Sequence, residues 1–143
     1  MKDSSVQYSR KINYYETDQM GIVHHSNYIR FFEEARLMLL DEKLMDYAKM
    51  EELGIIIPVT FVECKYLVPV HYGDEIVIDT CMTKFDGIKM EVSYRIYQKD
   101  SEVLCTTGKS GHCFLDAEMK PIRMKRRFPE LYEKLKGLVE NIE

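Results

Sequence analysis

The chain has 143 residues, enough for one globular domain and too few for a second of ordinary size. Apolar residues make up 45% and charged residues 31%, with a formal charge of −4, which is the composition of a soluble globular protein and argues against a dedicated nucleic-acid binder. The cysteines Cys64, Cys81, Cys105 and Cys113 form no CxxC pair and, with the four histidines, supply no closely spaced ligand set for zinc; they read as reduced thiols of a cytoplasmic protein.

Residues 1–6 carry no apolar stretch after Lys2, so no secretory leader is expected, and no apolar run approaches the roughly 20 residues of a membrane span. Residues 6–15 alternate, with Val6, Tyr8, Ile12 and Tyr14 on one face, which predicts a strand; Arg10 interrupts that apolar face. The polar run Glu16-Thr17-Asp18-Gln19-Met20-Gly21 reads as a loop. Tyr28, Phe31, Phe32, Ala35, Met38 and Leu39 then recur at helical spacing, while Arg30, Glu33, Glu34 and Arg36 mostly face elsewhere. Ser26 or Asn27 is the expected cap, and the pattern continues through Leu44 towards Met50, with Gly54 as a stop. A helix of about 20 residues is about 30 Å long, the centrepiece of so short a chain.

After Gly54 the period changes to two. Extended text runs over 55–70, broken by Pro58 and Pro69; Glu75–Phe85 and Ile88–Gln98 flank the turn signal Asp86-Gly87; Glu102–Leu115 is a further strand, and a short one is expected near 121–124. Pro129–Val139 reads as a short amphipathic helix with proline in its first turn. The fold class is α+β: an antiparallel sheet of five to six strands, one face covered by one long helix, plus a short C-terminal helix. A single helix leaves the second face and the sheet edges uncovered, so a homo-oligomer is expected.

The chemistry concentrates in residues 16–27, just before the long helix. A helix N-terminus offers unpaired amide N–H groups and partial positive charge. Asp18 there is either a turn carboxylate capping an amide or a carboxylate aimed at an electrophile whose oxygen those amides hold. Gly21 lets backbone approach a ligand. His24 and His25 look like a pair, but adjacent side chains point in different directions. Glu33 reads as a partner for Arg36, and His71 and His112 as ordinary strand-end residues. Residues 120–127 hold Lys120, Arg123, Lys125, Arg126 and Arg127 without an acid, which suits either a small polyanion or a solvated strip.

The pattern Tyr15-x-Thr17-Asp18-x-x-Gly21-x-Val23-x-x-x-Asn27-Tyr28, followed by Phe32-Glu33-x-Ala35-Arg36, resembles the hotdog-fold acyl-CoA thioesterases of the 4-hydroxybenzoyl-CoA thioesterase-like branch. The resemblance covers nearly the whole chain and implies one hotdog-fold domain over 1–143, a sheet wrapped around a central helix, and dimers or tetramers with the thioester held between subunits. It matches the family's catalytic carboxylate to Asp18 and the carbonyl-polarising backbone N–H to His25. It implies hydrolysis of acyl-CoA or acyl carrier protein thioesters without metal or organic cofactor, coenzyme A being part of the substrate. Asp18 would serve as general base or as nucleophile. Gly21, Val23, Asn27 and Tyr28, with Arg126 and Arg127 from the basic segment, are the expected substrate-binding residues. The competing readings are a 3-hydroxyacyl thioester dehydratase, using His24 or His25 with Glu33, and a non-catalytic acyl-thioester-binding protein.

Overall fold

Residues 4–140 are described by the computed structural model, so the expected unit over 1–143 reaches past the described residues at both ends. Strand β1 (Val6–Lys11) leads through a 3-10 turn (Tyr14–Glu16) and a loop to helix α1 (Asn27–Lys43) and the short helix α2 (Tyr47–Glu52). Strands β2 (Val59–Tyr66), β3 (Glu75–Phe85), β4 (Lys89–Gln98) and β5 (Leu104–Cys113) follow, then a helical turn α3 (Met124–Arg127) and helix α4 (Pro129–Leu138). The five strands form one sheet in the order β1-β3-β4-β5-β2, antiparallel throughout. No helix among the described residues is long and apolar enough to cross a membrane.

The two hydrophobic periods meet in one core. The helix-facing residues of the central strands, among them Ile76, Ile78, Val92, Tyr94 and Ile96, pack with Phe31, Phe32, Ala35 and Leu39 of α1, all at most 1% exposed. The closest approach is at Phe32, whose ring stacks on Tyr94 with centroids 4.4 Å apart and planes 12° from parallel. Gly108 lies opposite Tyr94 in the β4–β5 register. A Cβ on Gly108 would enter the Phe32 ring and come within 2.8 Å of the Glu63 carbonyl oxygen, so the absent side chain is what lets α1 settle on the sheet.

Several expectations require correction. The helix does not run to Met50. It ends at Leu44, and Asp46 starts α2 by accepting the Ala48 N–H at 3.0 Å, a change of direction that still buries both Leu44 and Met50. Gly54, at φ +79°, follows α2. The side chains of Ser26 and Asn27 do not cap α1, because each is bonded elsewhere in the preceding loop. Tyr14 leaves the apolar face and is 76% exposed, since β1 stops at Lys11. The segment 121–124 makes only an isolated bridge, Leu115 to Pro121, before turning into α3. Of the expected five to six strands, the structure has five.

His112 does stand near the end of β5 and Glu33 does flank Arg36, but both Arg36 and His112 turn inward, which the pattern did not show. The Arg36 side chain is only 12% exposed, because its guanidinium turns inward and Nη1 donates to the Tyr94 hydroxyl at 3.1 Å. Glu33 flanks it at 3.9 Å. The Tyr94 hydroxyl lies 2.6 Å from Ser110 Oγ, which in turn lies 2.7 Å from His112 Nε2. His112 is 1% exposed and its Nδ1 reaches no hydrogen-bond partner among the described residues. Burial first, then the Arg36 charge, pushes its imidazole down to about 4, against a weaker opposing effect of the Pro58 carbonyl.

Two outcomes follow. Gly108→Ala should lower the urea midpoint, costing about 1–3 kcal/mol by overpacking, with the m-value unchanged. Folded His112 stays neutral where the unfolded histidine takes a proton. Stability therefore falls as pH drops from the ordinary histidine value of 6.5 towards about 4. Urea titrations across that window should show His112→Gln losing about 3 kcal/mol less than the parent chain.

Candidate active site

The segment between the 3-10 turn and α1 folds back on itself. Thr17 bridges Val23, the Asp18 N–H donates to the Ile22 carbonyl at 2.9 Å, and the Gly21 N–H returns to the Asp18 carbonyl at 3.0 Å. Gly21 supplies the positive φ of +77° that closes this turn, with nothing within 4 Å of where its Cβ would stand. The Val23 N–H donates to the Val70 carbonyl at 2.8 Å and Ile22 bridges His71, which ties the turn to the segment after β2.

One oxygen of Asp18, Oδ1, accepts the Met20 N–H at 2.8 Å; Oδ2 takes no part in the loop's hydrogen bonds. The first of the two readings is met, since the carboxylate holds its own turn with one oxygen. It faces a cavity of about 330 Å³ whose wall includes Met20, Ile22, Val23, His25, Tyr28, Tyr66 and the segment Leu67–Pro69. Tyr28 is 4% exposed, and burial pushes its phenol up to about 12. Its ring meets Tyr66 edge-on, with centroids 5.2 Å apart.

The main chain at His25 differs from that of its neighbours. The neighbouring N–H groups are all engaged: His24 with the Glu16 carbonyl at 2.9 Å, Ser26 with His24 Nδ1 at 3.2 Å, and Asn27 with the His24 carbonyl at 2.9 Å. The His25 N–H has no such acceptor among the described residues, at the point where α1 begins. Its carbonyl, by contrast, accepts the Tyr66 hydroxyl at 3.1 Å, so a residue of β2 pins this peptide. The two histidine rings do not diverge: they stack 4.2 Å apart at 29°, and His24 Nδ1 is taken up by Ser26. Adjacent side chains diverge on a helix, but these precede it.

The structure therefore brings Asp18, Val23, His25 and Tyr28 together and places Gly21 at the tip of the turn. Asn27, expected to bind substrate, does not line the cavity; its amide Nδ2 donates to the Glu16 carbonyl at 2.8 Å. No contact joins Glu33 to either histidine among the described residues, and its side chain is 66% exposed. Tyr66 was missed by the sequence reading, because nothing in a strand of alternating residues marks the one that reaches a loop.

Arg126 and Arg127 are not part of this cavity. The Met124 N–H donates to the Gly87 carbonyl at 3.0 Å, which fixes the basic segment at the β3–β4 hairpin. Asp18 lies at the other end of β3, whose 11 residues extend roughly 35 Å. The two arginines also part company. Arg126 lines a cavity of about 490 Å³ with Arg123, Lys125, Gly87 and Tyr132. Arg127 faces Asp116 at 3.7 Å and lines a different cavity, with Met45, Leu53 and Phe128.

A five-stranded antiparallel sheet holding one long helix, with this loop at the helix start, defines a hotdog-type thioester hydrolase. The chain belongs to the thioesterase-like superfamily, whose sequence profile matches residues 12–136. It is 37% identical over 130 residues to YneP of Bacillus subtilis, provisionally named an acyl-CoA thioesterase, a match spanning 88% of this chain and 94% of that one. It is 24% identical over 111 residues to an acyl-CoA thioester hydrolase of Escherichia coli O157:H7, covering 78% and 83% of the two chains. Among solved structures, a DHNA-CoA thioesterase from Staphylococcus aureus superposes with a TM-score of 0.86 at 31% identity, over 97% of this chain and 99% of that one.

Since Gly21 meets no neighbour, its replacement tests the backbone alone. Gly21→Ala should destabilise by about 1–2 kcal/mol in chemical denaturation, and Gly21→Asn by less, because asparagine tolerates the left-handed region.

Proposed function

We propose that the protein hydrolyses acyl-CoA thioesters to free acid and coenzyme A, with Asp18 as the catalytic carboxylate and the His25 amide as the donor to the thioester carbonyl oxygen. The observation that carries this reading is the pairing, on one cavity, of a carboxylate with a free oxygen and an unpaired amide two residues before the start of a long helix. A thioester has a good leaving group, so the protein has to activate water or attack directly and stabilise the developing oxyanion. Asp18 Oδ2 does the first. The His25 N–H, with α1 behind it, does the second, a contribution typically of 100- to 1,000-fold. The route uses no metal or organic cofactor. Tyr28, Tyr66 and the segment Leu67–Pro69 form the apolar and aromatic wall against which the acyl group lies.

The carrier is held by a second copy of the chain. β2 is an edge strand, exposed along almost its whole length, with Val59 and Tyr66 both 51% exposed and Phe61 and Val62 each 37%. A long apolar edge of this kind is a pairing surface. One end of β2 lies at the cavity, where Tyr66 touches His25; the other pairs with His112, towards the basic end of the molecule. Antiparallel pairing of two such edges about a two-fold axis exchanges the ends. It brings Arg123, Lys125 and Arg126 of one copy towards the Asp18 cavity of the other, where they meet the phosphates of coenzyme A.

Asp18→Asn should lower kcat by at least 100-fold in an acyl-CoA hydrolysis assay while leaving thermal melting and oligomer size nearly unchanged. Full activity in that variant overturns the assignment. Arg123→Ala with Arg126→Ala should raise KM for acyl-CoA. Mixing this double variant with Asp18→Asn under subunit exchange should restore about a quarter of wild-type activity, since half the dimers then hold one intact site of two. No recovery would place both sets of residues on the same copy. Single turnover in 18O-water tests direct attack by Asp18, because label in its carboxylate requires a mixed anhydride opened by water at the Asp18 carbon.

A further inference from the structure

We propose that Glu16, gripped by Arg10, is the positioning residue of this active site: it fixes the Asp18 turn and the His25 amide relative to one another. The inference rests on the thioesterase reading for its kinetic consequence, and on geometry alone for its structural one.

Arg10 is the residue that interrupts the apolar face of β1, and Glu16 opens the polar loop. Glu16 is buried and Arg10 largely so, with side chains 8% and 11% exposed. Arg10 Nη2 donates to both carboxylate oxygens of Glu16 at 2.7 Å, and Nη1 donates to both oxygens of Glu34 on α1 at 3.1 Å. The guanidinium also lies over the Phe31 ring, 4.4 Å from its centroid. Glu34 in turn accepts the Tyr8 hydroxyl at 2.9 Å. One planar cation thus joins β1, the 3-10 turn and α1.

Glu16 passes this anchorage on to the site. Its Oε1 also accepts the Asn13 N–H at 2.8 Å. Its main-chain carbonyl accepts two further donors, the His24 N–H at 2.9 Å and Asn27 Nδ2 at 2.8 Å. Asp18 follows two residues after Glu16, and His25 lies between the two groups that its carbonyl holds. The segment carrying the carboxylate and the segment carrying the amide therefore share one fixed point. Buried ion pairs are often no more stabilising than apolar residues of the same shape, so stability alone does not account for this cluster. A planar guanidinium that gives one nitrogen to each of two carboxylates sets their separation and plane, which is what two groups acting on one carbonyl require.

The test uses Glu16→Gln, which keeps the shape and removes the charge, and Arg10→Lys, which keeps the charge and removes the second nitrogen that lets one side chain hold both carboxylates. Amide hydrogen exchange over residues 18–25 should quicken at least tenfold in both, with protection in β3 and β4 unchanged. Steady-state acyl-CoA hydrolysis should show kcat reduced about 10- to 100-fold and KM within about threefold of wild type. A merely structural role predicts instead that Arg10→Lys retains kcat. Wild-type exchange over 18–25 in folded Glu16→Gln overturns the proposal, and so does quickened exchange with unaltered kcat. Should a variant fail to fold, the other decides by the same two readouts. If the wild-type chain hydrolyses no acyl-CoA, the thioesterase reading falls, and the clamp is then judged by exchange alone.

Discussion

The contact of Phe32 with Tyr94 across the space left by Gly108 sets the geometry on which the molecule depends. Among the described residues one long helix does most of the covering of the sheet's apolar face, with Met50 of α2 and Leu131, Leu135 and Leu138 of α4 filling in around it. The helix must therefore lie low and run along that face, and the absent side chain at Gly108 permits the approach. Once α1 is fixed in this way, its interior is committed to packing. Chemistry is left to its N-terminus, where the amides are unpaired, and to the strand ends and loops around it.

Two polar clusters surround this packing and use different physics. The Arg10–Glu16–Glu34 cluster is ionic and partly buried, and each charge has an opposite partner. The chain from Arg36 through Tyr94 and Ser110 to His112 runs under the helix and ends on an imidazole held neutral by burial. The first lies at the loop end of α1, next to the candidate catalytic groups. The second ties the middle of α1 to β4 and β5 and does not touch the cavity. Polar groups in a core are tolerated when hydrogen-bonded and informative when they are not; His112 Nδ1 is of the second kind.

The cavity next to Asp18 and the basic cavity next to Gly87 stand at opposite ends of the sheet. A substrate with an apolar acyl end and a polyanionic carrier end has a matching polarity. The exposed β2 edge links the two ends within each copy, and antiparallel pairing of edges reverses them between copies. In this reading the edge strand both covers unpaired backbone groups and completes the site. The same exposure that would be an aggregation hazard in a monomer then becomes the means of bringing the acyl and carrier sites together.

Much of this was legible in the residues themselves. Alternation located β3 and β4 almost to the residue, and the 3–4 spacing of Tyr28, Phe31, Phe32 and Ala35 located α1, because burial of one face imposes a period that sequence records directly. The motif around Asp18 likewise marked the loop and the family. What the sequence did not determine were relations between residues distant along the chain: Tyr66 reaching His25, Arg10 reaching both Glu16 and Glu34, and Arg126 standing at the far end of the sheet from Asp18. Arg10 on an apolar face was a signal that a buried partner exists, but not which acid supplies it. The inward turn of Arg36 and the burial of His112 were decided by strand register, which sets which side chains meet beneath the helix. Local periodicity is a property of the chain; proximity across strands and the orientation of a side chain are properties only of the folded molecule.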